Sequence, residues 1–202
     1  MLCKVVLVVC ICSLALARGT PQSPENQNFC EFLANFETYR GEVWTRFVEI
    51  LKATLTRMVS AVPDCPDCRQ YVAFLQDYIS RGDAINSSSS TDQKIEYAKG
   101  FSEAMDRRSS LDLSSYNNET ALKVAMDYAT QLFAEFSKFQ EKLIAAESEL
   151  KRKVGQDVVS REVEFFELLR TYGVGTLYRI TRTRREVVAN RILSFKQQFQ
   201  CA

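Results

Sequence analysis

The chain has 202 residues, is 46% apolar, and carries 26 basic against 25 acidic side chains. A charge balance this close to zero excludes general nucleic-acid binding, which needs a positive surplus. The chain has no histidine, which excludes Ser-His-Asp and Cys-His catalysis, histidine-ligated zinc and a histidine pH switch, and leaves carboxylate, lysine and oxygen-ligand metal chemistry open.

Met1-Leu2-Cys3-Lys4 is a short basic start, residues 5–16 form an apolar run, and Ala15-Leu16-Ala17 is a small-x-small cleavage pattern. This predicts a secretory signal peptide over residues 1–17, too short for the roughly 20 residues that a bilayer span needs. The mature protein is then expected to begin near Arg18 and to be secreted into an oxidising, glycosylating environment. Cys3, Cys10 and Cys12 leave with the leader, so Cys30, Cys65, Cys68 and Cys201 remain. An even number in a secreted chain predicts two disulfides, with three pairings open. No second apolar run reaches transmembrane length, so no membrane span is expected.

Residues 18–28 are polar and contain proline, and a flexible N-terminal tail is expected there. The remainder, 29–202, reads as one helical domain. Phe29, Phe32, Leu33, Phe36, Val43, Trp44, Phe47, Ile50, Leu51, Leu55 and Met58 recur at three- and four-residue steps, the mark of an amphipathic helix. Gly41 is a candidate kink and Pro63 a stop. Asp64-Cys65-Pro66 restarts a helix, with a cap at Asp64 or Cys65 and Pro66 in the first turn. Gly82 has the position of a C-terminal cap. Ser90-Thr91-Asp92-Gln93 resembles a capping box for a third helix, with Ile95, Ala98, Phe101 and Met105 inward.

A long helix follows a loop over 109–118. Its stripe includes Leu122, Ala125, Ala129, Leu132, Phe133, Phe136, Phe139, Leu143, Ile144, Leu150 and Val154. Gly155 interrupts it, and Val159, Val163, Phe166 and Leu169 continue the period. Tyr172-Gly173-Val174-Gly175 is expected to break the chain again. Leu177, Ile180, Val187, Val188, Ile192, Phe195 and Phe199 carry a final helix. The fold class predicted is all-α: an elongated antiparallel bundle of about five helices, cross-linked by two disulfides.

Several motifs carry chemistry, and each has a structural alternative. Cys65-Pro66-Asp67-Cys68 is a C-x-x-C at a helix start, where a thiol pKa falls. A redox pair normally wants a βαβ context and zinc wants two more nearby ligands, so a structural disulfide is preferred. Arg81-Gly82-Asp83 spells an integrin-binding tripeptide, a guanidinium for an acidic pocket and a carboxylate for a receptor-bound cation. The competing reading is a helix end in which Gly82 caps and Asp83 opens a turn. Asn86-Ser87-Ser88 and Asn118-Glu119-Thr120 are N-glycosylation acceptors in predicted loops. A glycan on Asn86 would crowd Asp83. Arg179, Arg182, Arg184 and Arg185 form a basic run opposed only by Glu186. Arg182-Thr183-Arg184-Arg185 resembles a convertase recognition sequence, and the run also suits a glycosaminoglycan. A solvated helix face is the preferred reading. Glu147/Glu149 and Glu162/Glu164 are two apart, so neither pair shares a helix face. No metal or cofactor is expected.

These residues point to a secreted, non-enzymatic helical protein that binds a macromolecular partner, at a cell surface or in host defence. A protein partner is expected, with integrin or a glycosaminoglycan as specific candidates. The alternative is a carrier of hydrophobic small molecules such as lipids, for which the aromatic stripe would line a closed apolar cavity of ~300 Å³ or more.

Overall fold

The computed structural model describes residues 23–109, 118–174 and 182–201. Among them are seven helices: α1 (Pro24–Ala61), α2 (Pro66–Asp83), α3 (Thr91–Ser109), α4 (Asn118–Val154), α5 (Gln156–Arg161), α6 (Val163–Val174) and α7 (Arg182–Gln198). No described residue is in a strand. The leader over 1–17 and residues 18–22 lie outside the described residues.

α1 is the spine. Its 38 residues extend for about 57 Å at 1.5 Å per residue. The Ser23 hydroxyl accepts from the Asn26 N–H at 3.1 Å, and Pro24 occupies the first turn, where its missing N–H costs nothing. The helix therefore starts within the stretch expected to be a tail. It is one continuous helix through Gly41, the candidate kink, rather than two helices in line. A β-carbon on Gly41 would lie 3.6 Å from Thr91 Oγ1, so α3 begins close against this point of the spine.

The short connections are local chemistry. Cys65 caps α2, its sulfur accepting from the Cys68 N–H at 3.1 Å. Ser90 and Gln93 form a reciprocal capping box: the Gln93 N–H donates to Ser90 Oγ at 3.2 Å and the Ser90 N–H to Gln93 Oε1 at 2.8 Å. Gly155 has φ 84, a left-handed conformation that other residues resist. It ends α4 and starts α5. Glu162, at φ −95 and ψ 39, separates α5 from α6. These two breaks divide what periodicity alone reads as fewer, longer helices.

The core is a continuous cluster contributed by all the long helices. At one end Phe29 stacks on Phe199 with centroids 4.0 Å apart and meets Phe165 edge-on at 5.3 Å. Phe29 and Phe165 are fully buried, each contributing about 1.5–3 kcal/mol. Cys30, next to Phe29, and Cys201, two residues after Phe199, are bonded. This disulfide spans 171 residues, and the chain-entropy model gives such a closure ~5 kcal/mol. Cys65–Cys68 spans three, and the same model gives it only ~2 kcal/mol. One bond ties the first turns of α1 to the residues just after α7; the other reinforces a helix start.

Candidate functional site

The four cysteines expected to be oxidised are paired as Cys30–Cys201 and Cys65–Cys68. Cys68 is fully buried behind the α2 cap.

Arg81-Gly82-Asp83 lies in the last turn of α2 rather than in a loop. Arg81 Nε is 3.3 Å from Asp77 Oδ2, and its guanidinium lies 5.1 Å from the Tyr78 ring centre. Asp83 pairs with Lys52 on α1. Residues two apart on a helix point in diverging directions, so this geometry sends the two charges to different neighbours. The cap expected at Gly82 is corrected: its φ is not positive, and the backbone is helical. The glycine is there because a β-carbon would lie 2.5 Å from Tyr97 Cζ.

Asn86 is exposed in the connection between α2 and α3. Its side-chain oxygen accepts from the Ser88 N–H at 2.9 Å and from the Ser88 hydroxyl at 2.6 Å. Asn118 is the first residue of α4, not a loop residue; its side chain is outside the described ones. Arg179 also lies outside them, as do the side chains of Arg182 and Arg184, although both are within α7.

Arg185 turns inward. Its guanidinium carbon is 3.6 Å from the centre of the Phe136 ring and 5.3 Å from that of Tyr172. Desolvation lowers its pKa from the usual arginine value. The solvated basic face is thus interrupted at this position. Beside it, Glu186 pairs with Arg40 of α1, a residue only 4% exposed. The pair is incompletely satisfied: Arg40 Nε and Glu186 Oε1 are buried without a hydrogen bond.

α1, α4 and the residues leading into α3 enclose a cleft of about 790 Å³. Tyr39, Val43 and Phe139 supply its apolar wall, and Ser87, Ser89 and Thr91 are on its rim. The charges along it are paired: Glu42 with Lys142 at 2.7 Å, Glu135 with Lys138 at 2.7 Å, Glu37 with Lys196 at 2.6 Å, and Arg46 with Glu49. The exception among the described residues is Lys94, 3% exposed, with no carboxylate in ion-pair range. Its ammonium donates to the Ser87 carbonyl at 3.0 Å.

α4 also departs from the expected pattern. Spacing places Phe133 and Ile144 on its inward stripe, yet they are 59% and 58% exposed, and Met126 is 61% exposed. Val163 and Val187 likewise face out. Met126, Phe133 and Ile144 are separated by seven and eleven residues, about two and three whole turns, so they form one line along the helix. The buried line of α4 is Val124, Phe136, Phe139, Leu143 and Leu150.

No protein-family model, curated protein or solved structure matches this chain. Among the described residues no helix is long and apolar enough to cross a membrane, and no group of three or more His, Cys, Asp or Glu is gathered to hold a metal. Lys94, the Arg40–Glu186 pair and the outward line of α4 are the features that sequence reasoning missed. Glu186 alone had a signal, as the one acid in a basic run. Lys94 had none, because the residues that bury it come from other segments.

Proposed function

We propose that this is a secreted, non-enzymatic protein, an elongated antiparallel bundle that binds a protein partner along the outward face of α4. The observation that carries the reading is the line of Met126, Phe133 and Ile144, each more than half exposed. Large apolar side chains aligned on one face of a well-packed helix favour burial by a second surface. The alignment of the bundle is supported by ion pairs that descend α4 as they ascend α1: Glu31–Lys153, Glu42–Lys142 and Arg57–Asp127. Glu37–Lys196 and Cys30–Cys201 support the same opposed direction for α7. Integrin binding through Asp83 ranks lower, because its carboxylate is engaged by Lys52.

The test is footprinting of the protein in its native extracellular fluid. Carbene labelling of Met126, Phe133 and Ile144 should be suppressed relative to the purified chain, and Phe133→Glu should restore labelling of Met126 and Ile144 without lowering Tm. Full labelling of all three residues in the native fluid would remove the basis for this reading.

A carrier of hydrophobic small molecules is the second reading. The 790 Å³ cleft supports a small-molecule site of some kind. Its charged and hydroxyl-bearing rim suits a wholly apolar lipid less well than a closed apolar chamber would.

A further inference from the structure

Lys94 is a buried cation with an incomplete set of partners. An ammonium has three donors and no acceptor. Lys94 gives one hydrogen bond, to the Ser87 carbonyl. The nearest acids along its own helix are engaged elsewhere: Asp92 is 3.9 Å from Arg40 and largely solvated, and Glu96 pairs with Lys99 at 2.7 Å. The charges on the opposite walls of the cleft are already matched with one another. Burial of an ammonium without a counter-ion is costly, and the direction of its titration agrees, since desolvation lowers the Lys94 pKa.

The position adds to the effect. Lys94 is in the first turn of α3, just after the Ser90–Gln93 capping box. The positive end of the helix dipole falls here, reinforcing the same sign of charge. Both features lie on a cleft large enough for a small molecule and bounded by aromatic rings.

We propose that the cleft binds a small carboxylate with a flat apolar body. The carboxylate would pair with Lys94, completing its hydrogen bonds, and the body would lie against Tyr39, Val43 and Phe139. A single negative charge is the best match. The cleft has one unmatched cation, and a dianion would add charge facing Glu42 and Glu135. The line Met126–Phe133–Ile144 is on another flank of α4, so this site does not depend on the protein-partner reading.

The test uses the full secreted chain and a matched pair of probes, 2-naphthoate and its neutral amide, 2-naphthamide, titrated by calorimetry. The naphthoate should bind at least roughly tenfold more tightly than the amide. Lys94→Gln should abolish that preference, whereas Arg152→Gln, which removes an exposed, paired cation outside the cleft, should preserve it. Lys94→Arg, which keeps the charge, should retain part of it. Because a buried substitution can disturb folding, the unmodified protein supplies a second measurement: magnetisation transfer from the naphthoate ring protons to Tyr39 and Phe139. Equal affinity for the two probes, preference persisting in folded Lys94→Gln, absence of millimolar binding, or transfer to other residues alone would each overturn the proposal.

Discussion

Tyr78 and Tyr97 stack ring on ring across α2 and α3, with centroids 4.7 Å apart and planes 10° from parallel. Each phenol donates to the other's backbone carbonyl, Tyr97 to Tyr78 at 3.2 Å and Tyr78 to Tyr97. The arrangement is reciprocal in its clearances too. Gly82 makes room for Tyr97, and Gly100 makes room for Tyr78, where a β-carbon would lie 2.7 Å from Cε2.

The first prediction follows from those clearances. Gly82→Ala is expected to cost about 1–3 kcal/mol, because the added methyl must displace a ring held by stacking and a hydrogen bond. Gly100→Ala should cost a similar amount. A helix-propensity argument alone predicts the opposite sign, since alanine favours helix. Denaturant titration of both variants decides the matter; stabilisation by either would show that the tyrosines yield freely.

The phenols also set an alkaline limit. Burial raises the pKa of Tyr97 and of Tyr172 above the ordinary 10.0. In the unfolded chain these groups lose protons from about pH 10, while the folded protein still holds them. Their contribution is therefore fully present below pH 10 and lost as pH rises further. Tyr172→Phe should flatten the fall in Tm above that pH relative to the parent. Parallel curves for parent and variant would contradict the assignment.

Arg40 and Glu186 make a third prediction. Glu186→Ala leaves the buried guanidinium with only the solvated Asp92, 3.9 Å away, and should cost about 2–4 kcal/mol, somewhat less than a buried charge left with no counter-ion. Arg40→Met with Glu186→Leu removes both charges, and their two unsatisfied atoms, and should cost much less. Urea unfolding of the single and double variants measures the difference. A double variant as unstable as Glu186→Ala would mean that the pair's packing, not its charge, is what matters.

The convertase-like sequence yields the fourth. Arg182 to Arg185 lie in the first turn of α7, and Arg185 is stacked on Phe136. A protease needs this bond extended and accessible, so the folded protein should survive a dibasic-specific endoprotease that cleaves the denatured chain after Arg185. Any cut would stay hidden on a non-reducing gel, because Cys30–Cys201 would hold the two pieces together. Appearance of a short C-terminal fragment from the folded protein only after reduction would refute the protection.

What the amino-acid sequence determined by itself is local. The helical period, the Ser90–Gln93 box, the cap before Pro66 and the interruption at Gly155 are all set by residues within a turn of each other, where chain geometry leaves few alternatives. Tertiary structure decided the rest. Periodicity marks an apolar stripe but not its width, so only packing showed that Phe136 and Leu143 turn in while Phe133 and Ile144 turn out. Gly82 is a plausible cap by position, and its actual reason is a ring from α3. Four cysteines permit three pairings, and the meeting of Phe29 with Phe199 brings Cys30 to Cys201. Lys94 is an ordinary surface lysine in sequence. It is buried against the Ser87 carbonyl in a cleft formed with α1 and α4, and burial depends on distant segments that no local pattern encodes.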